Sequence, residues 1–229
     1  MVLSTTLFVA LLAGLIPGML WLFFWLFEDR CEPEPKRYIF YTFIAGMLMV
    51  PLVLPLEQAV QGYFTGFGLY AAWAACEEIL KFGAAYFAAL KWSVFDEPLD
   101  GVIYLVTAAL GFSAAENALF LVPTLYNGDF IRTLATGDLR FIGASLLHTL
   151  ASATIGIMIA LSFGKPAATR ALYAIIGVIL AVVLHTLFNF FILKQSGGGT
   201  FLVFLCIWVG IIAVLLMVER IKIPQRDYC

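Results

Sequence analysis

Seven apolar stretches, at residues 2–27, 38–56, 68–90, 101–122, 141–163, 171–193 and 201–218, dominate this chain. Each is near the length of about 20 residues that a helix needs to cross a bilayer core. The runs are continuous rather than alternating, which excludes a transmembrane β-barrel. Only 12% of the residues are charged, against about 25% in a soluble domain. Too few charges are present to cover a water-soluble globule. A soluble enzyme, a disordered chain and a nucleic-acid binder with a basic stripe are therefore excluded. The expected fold is all-α: one polytopic transmembrane bundle of about seven spans over residues 1–229. Spans one and two (1–67) and the last span with its tail (194–229) are expected at the periphery. Residues 68–193, spans three to six, are expected to form the core. The four cysteines, Cys31, Cys76, Cys206 and Cys229, show no C-x-x-C pairing, so they imply neither a disulfide framework nor a thiolate metal site.

Loop charge sets an expected orientation. With seven spans, one side carries Arg30, Lys36, Arg37, Lys91, Lys165, Arg170, Arg220, Lys222 and Arg226, and the other Arg132, Arg140 and Lys194. Cytoplasmic loops are enriched in Lys and Arg. The N-terminus is thus expected outside and the C-terminus in the cytoplasm. Segment 57–67 is expected to be an interfacial loop or a short surface helix. Asn127-Gly128 and Gly137-Asp138 carry turn signals, and residues 197–199 read as a flexible glycine link.

The informative residues are the expensive ones. Spans three to six hold Glu77, Glu78, Lys81, Glu116, His148 and His185, while spans one, two and seven hold no acid, lysine, arginine or histidine. An acid or lysine at a helix centre costs on the order of 3 kcal/mol on the insertion scale. Leu would serve a bundle that only needed to span lipid. Their depths also agree. Glu77 is nine residues from the outer start of its span and His148 seven; Glu116 is six residues before the outer end of its span and His185 eight. At 1.5 Å per residue, all four lie about 9 to 14 Å below the outer surface. Unrelated packing residues would scatter over a core about 30 Å thick.

Helical spacing narrows the roles. Glu77 and Glu78 point about 100° apart, with Lys81 angularly between them. Glu77 is expected at the reaction centre, and Glu78 as the ion-pair partner of a supporting Lys81. Glu116, His148 and His185 form a donor set suited to zinc with an open position for water, Glu77 then being the general base. Asn189, one turn after His185, is placed to orient that imidazole or to donate to a developing oxyanion. Asn117, beside Glu116, is expected in a supporting role. A metal-free mechanism, in which a carboxylate and a histidine activate water, also fits these residues. So does a proton-coupled transporter or channel, since intramembrane Glu and His also relay protons. The single depth and the lack of internal repeats count against transport. No G-x-S-x-G elbow accompanies Ser145 or Ser152, which weakens a serine mechanism.

E-E-x-x-K at Glu77, Glu78 and Lys81, then Asp100-Gly101, Gly111-Phe112 with Glu116-Asn117, His148 with Gly156, and H-x-x-x-N at His185 and Asn189 occur in this order over residues 73–189. This order resembles the PrsW-type intramembrane metalloproteases. It is more distantly similar to the type II CAAX prenyl proteases and Abi proteins. Those carry E-E-x-x-x-R and F-x-x-x-H, from which Lys81 and Glu116 depart. The resemblance implies a plasma-membrane endopeptidase that uses a bound metal, zinc by family type. The implied substrate is a membrane-anchored protein, similar to the single-span anti-sigma factors that PrsW-type proteins of bacilli cut on their outer side.

Overall fold

The computed structural model describes residues 2–30, 32–129, 133, 143–194 and 198–222. Arg132, Arg140, Arg226, Cys31, Cys229, Gly137-Asp138 and Gly197 lie outside them. Seven long helices account for most of the described chain. They are α1 (Val2–Glu28), α2 (Lys36–Gln61), α3 (Gly66–Ala85), α4 (Asp100–Tyr126), α5 (Ser145–Leu161), α6 (Ala167–Lys194) and α7 (Gly198–Ile221). A single π turn, Tyr86–Leu90, extends α3. Five helices (α1, α2, α4, α6 and α7) are long and apolar enough to cross a membrane. The other two expected spans depart for visible reasons: α3 carries Glu77, Glu78 and Lys81, and α5 has 17 residues.

Long helices take up part of two expected connections. α2 runs on through Glu57 to Gln61 despite Pro51 and Pro55 inside it. A helix within a membrane bundle tolerates proline because neighbouring groups satisfy the freed carbonyls. The apolar run stops at Leu56, but Glu57-Gln58-Ala59 are sound helix formers. At the other end of the chain, Gly198 and Gly199 form the first turn of α7 rather than a loop.

α4 is the central helix, buried without interruption from Asp100 to Ala114. α1, α2 and α5 pack along it, while α3 lies between α2 and α6. Small residues make this closeness possible. A Cβ on Gly111 would sit 2.0 Å from the Phe43 carbonyl oxygen, and one on Gly46 would sit 2.0 Å from that of Ala108. α2 and α4 therefore meet backbone to backbone, as small-residue faces permit in membranes.

The end of α4 away from Glu116 holds a second group of acids. Leu99 holds the N-cap position of α4, and Asp100 is its first residue. The Asp100 carboxylate accepts the Asp96 and Glu97 N–H groups, both at 2.9 Å, and closes the loop before α4. The Tyr104 hydroxyl donates to Glu34, whose own N–H donates to Asp29 at 3.2 Å. Burial pushes Asp29 up to about 7 against the pull of that N–H; Asp100 and Glu32 add to the rise, and Lys222 opposes it. Burial, then Asp100, pushes Glu34 up to about 9, while the Tyr104 hydroxyl holds it back. Burial, with Asp100 and Glu32, takes Glu97 up to about 8.

Two outcomes are expected. Gly111→Leu should force α2 off α4 and lower the detergent melting temperature sharply. Gly83→Leu, where a Cβ meets nothing within 4 Å, should leave it near the wild-type value. The second concerns pH. The folded state holds protons on raised carboxyls that the unfolded chain releases near pH 4. Stability from this cluster is therefore complete below about pH 4 and is lost as pH rises through about 7 to 9. A melting series from pH 5 to 9 should show this decline, and Glu34→Gln should flatten it.

Candidate active site

Four helices deliver the polar residues to one place. α3 presents Glu77, Glu78 and Lys81 over a single turn, α4 presents Glu116, α5 His148, and α6 His185 with Asn189 one turn on. The Lys81 side chain has no exposure, and its Nζ donates to Glu78 Oε1 at 2.6 Å and to Glu77 Oε2 at 3.4 Å. It lies 2.8 Å from His148 Nδ1 and 4.7 Å from the centre of the Phe112 ring. Each imidazole has one nitrogen on a carboxylate. His185 Nδ1 is 2.8 Å from Glu78 Oε1, and His148 Nε2 is 2.9 Å from Glu116 Oε2. The remaining nitrogens face Glu77: His148 Nδ1 is 3.9 Å from Oε2, and His185 Nε2 is 4.0 Å from Oε1.

All six ionisable residues singled out in the spans thus converge. Glu78 pairs with Lys81 as the spacing suggests. Orientation of His185 falls to Glu78, from α3, rather than to Asn189 on its own helix. Asn117 donates to Ser145 Oγ at 3.1 Å and to Ser113 Oγ at 3.4 Å, joining α4 to α5 next to the cluster. Asn189 lines the adjoining cavity, a chamber of about 740 Å³ bounded also by Glu57, Glu77, Glu116, His148 and His185. Glu57 was missed by sequence reasoning. It lies on the helical extension of α2, just beyond the apolar run, where its polarity read as that of a loop. Its backbone carbonyl accepts the Trp73 indole N–H at 3.2 Å, tying α2 to α3 at the chamber wall. A smaller cavity of about 370 Å³ opens off Glu57, Glu77 and Glu116 between α2 and α4.

Exposure separates the acids. The Glu78 side chain is fully buried, that of Glu77 is 8% exposed, and that of Glu116 is 23% exposed. Glu116 is therefore the better placed to meet water from the chamber.

Glu77, His148 and His185 each offer a donor atom, all within 4.8 Å of one another, so this group could hold a metal ion. The group differs from the expected ligand set by having Glu77 in place of Glu116. Its surroundings fit a metal. Metal-binding histidines usually give their second nitrogen to a carboxylate, and Glu78 and Glu116 stand where that rule requires. A cation already rests on part of the donor set, since the Lys81 ammonium touches Glu77 and His148. A metal held through His148 Nδ1 would displace Lys81 from that nitrogen.

The family described as PrsW family intramembrane metalloprotease matches residues 34–217. Proteins named Protease PrsW are similar over most of their length. That of Geobacillus kaustophilus (strain HTA426) is 28% identical over 205 residues, 86% of each chain. That of Bacillus subtilis (strain 168) is 24% identical over 89% of this chain and 93% of its own. That of Clostridioides difficile (strain 630) is 26% identical over 80% and 79%. No solved structure matches.

Proposed function

This chain belongs to the PrsW family of intramembrane metalloproteases and is a membrane-embedded peptide hydrolase; we propose that it cuts a membrane-anchored protein just inside the outer leaflet, at the chamber between α3, α4, α5 and α6. The observation that carries the chemistry is the convergence of Glu77, His148 and His185, from three helices, within 4.8 Å. These three would hold the metal, with zinc the ion best suited to two imidazoles and a carboxylate. A bound zinc ion supplies a lowered pKa for water and polarisation of a carbonyl. The proposal exchanges the roles assigned from sequence: Glu77 becomes a ligand and Glu116 the general base. The physical reason is reach. Glu77 has one oxygen towards each imidazole, whereas Glu116 touches His148 by one oxygen and faces the chamber.

The remaining steps belong to side chains. Glu116 accepts a proton from the attacking water and returns it to the leaving amine. Glu78 takes the His185 Nδ1–H, which leaves Nε2 turned towards Glu77. Lys81 offsets the charge of Glu78 and holds α3 against α5. The Asn189 amide donates to the carbonyl oxygen of the scissile bond as negative charge grows there. The substrate must enter unwound, because a helix keeps its amides in internal hydrogen bonds. The excess of Lys and Arg in the opposite loops supports a reading with the chamber on the outer side of the plasma membrane and the C-terminus in the cytoplasm. By family likeness, the substrate class is a single-span protein of the anti-sigma-factor type.

The test uses purified full-length protein in nanodiscs. Metal content is measured by mass spectrometry. Turnover is measured on a library of single-span peptides with a quenched fluorophore pair across the outer juxtamembrane stretch. Wild type should carry about one metal per chain and cleave library members. His148→Ala and His185→Ala should lose the metal. Glu116→Gln should keep it and lose at least about 100-fold in rate, the usual scale for a missing general base. Peptides with the pair on the cytoplasmic side should stay intact. Full turnover by His185→Ala, or equal cutting on both sides, would overturn the reading.

A further inference from the structure

A second large cavity, about 700 Å³, opens between α5, α6 and α7, and its lining is almost wholly apolar. It plays no part in the chemistry above. α7 packs on α5, where Gly210 meets Leu150, and makes only limited contact with α6, so a groove stays open between α6 and α7.

Three features point to one occupant. The first is continuity with the active site. Phe188 lines both the groove and the chamber, and α7 passes from Thr200 and Phe204 in the chamber wall to Met217 at the far end of the groove. Phe188 and Phe204 approach one another over Gly143, where an added Cβ would lie 2.7 Å from one ring and 3.5 Å from the other. The second is length. Gly199 to Met217 covers about 27 Å of helix, close to the full depth of a bilayer core of about 30 Å. The third is spacing. Gly199, Val203, Cys206, Gly210, Ala213 and Met217 line the groove at alternating steps of four and three. That is the seam by which one helix packs on another. Gly199, Cys206 and Ala213 supply the small positions of this seam, Gly210 being covered by Leu150, and small residues let a partner backbone come close. Across the gap, Leu184, Leu187 and Phe191 present the same step on α6.

We propose that the α6–α7 groove is the docking site for the substrate's own transmembrane helix, and that the Phe188–Phe204 pair marks where that helix ends and the chain unwinds into the chamber. This rests on the protease reading for the identity of the occupant. An apolar helix seated along Val203–Met217 brings its outer end to Thr200, beside the chamber that holds Glu77, His185 and Asn189. The groove then selects for a small or flat helix face, and the distance from its end to Glu77 sets the cleavage position.

The test is photo-crosslinking in nanodiscs of phosphatidylethanolamine and phosphatidylglycerol, using the full chain carrying Glu77→Gln. The probe is a single-span Leu/Ala peptide with benzoylphenylalanine at mid-membrane. Crosslinks mapped by mass spectrometry should concentrate on Leu187, Cys206 and Ala213. Ala213→Trp, which fills the groove from an exposed position, should reduce them at least fivefold, as should Cys206→Trp. Ile212→Trp, on an exposed part of α7 outside the groove, should not. In the active chain, Ala213→Trp should lower kcat/KM on anchored reporters at least tenfold while Ile212→Trp leaves it unchanged. Crosslinks spread evenly over lipid-facing helices, confined to lipid, or joining two copies of this protein would overturn the proposal. So would an Ala213→Trp chain that labels like wild type. Labelling needs no turnover, so a chain that binds the probe in the groove but never cuts a peptide would sink the protease reading alone.

Discussion

A lysine ammonium with no exposure has to be answered by charge from its neighbours, or the helix carrying it cannot sit in an apolar bundle. Leaving such a charge buried and unpaired costs on the order of 3 to 5 kcal/mol. Lys81 is answered by Glu78 and Glu77 on its own helix and by His148 from α5. The answering groups are themselves shared. Glu78 reaches His185 on α6, and His148 reaches Glu116 on α4. Four helices are thus tied by one chain of charge-assisted bonds. Moving any one of them away strands a buried polar group on another. This requirement acts together with apolar packing to hold α3, α5 and α6 around α4 at the depth of the chamber.

The central helix links two dissimilar ends. From Asp100 to Glu116 it spans about 24 Å. One end closes a loop and shares protons among acids, while the other faces a chamber where acids meet imidazoles. Between them lies backbone contact with α2 at Gly46 and Gly111. That stretch leaves little freedom to shift, which suits a reaction centre whose donors come from separate helices. α7 is different. It rests on α5 and leaves space beside α6, so the bundle is tight at its chemistry and open at its flank.

Much of the site was legible because polarity is costly in a membrane. Glu77, Glu78, Lys81, Glu116, His148 and His185 stood out against apolar surroundings, and their positions along each span placed them in one layer. Other parts were hidden for definite reasons. Glu57 sits just past the continuous apolar run of α2, which stops at Leu56, so a boundary drawn on hydropathy excluded it. Helical angles showed that Glu77 and Glu78 diverge, but not which carboxylate oxygens face which imidazole; hence the exchange of roles proposed for Glu77 and Glu116. The seam on α7 is built of Gly, Val, Cys, Ala and Met, a composition that does not stand out in an apolar span until the gap beside α6 is seen.

X-ray absorption at the metal edge of the zinc-loaded, full-length protein tests the central claim most directly, because it reads the ion's neighbours without relying on turnover. Two imidazole nitrogens and one carboxylate oxygen should appear at about 2.0–2.2 Å. The site's zinc signal should be lost from His148→Ala, and the carboxylate oxygen should vanish from the spectrum in Glu77→Gln. A spectrum dominated by sulfur or by water alone, unchanged in both variants, would contradict a metal centre built from Glu77, His148 and His185.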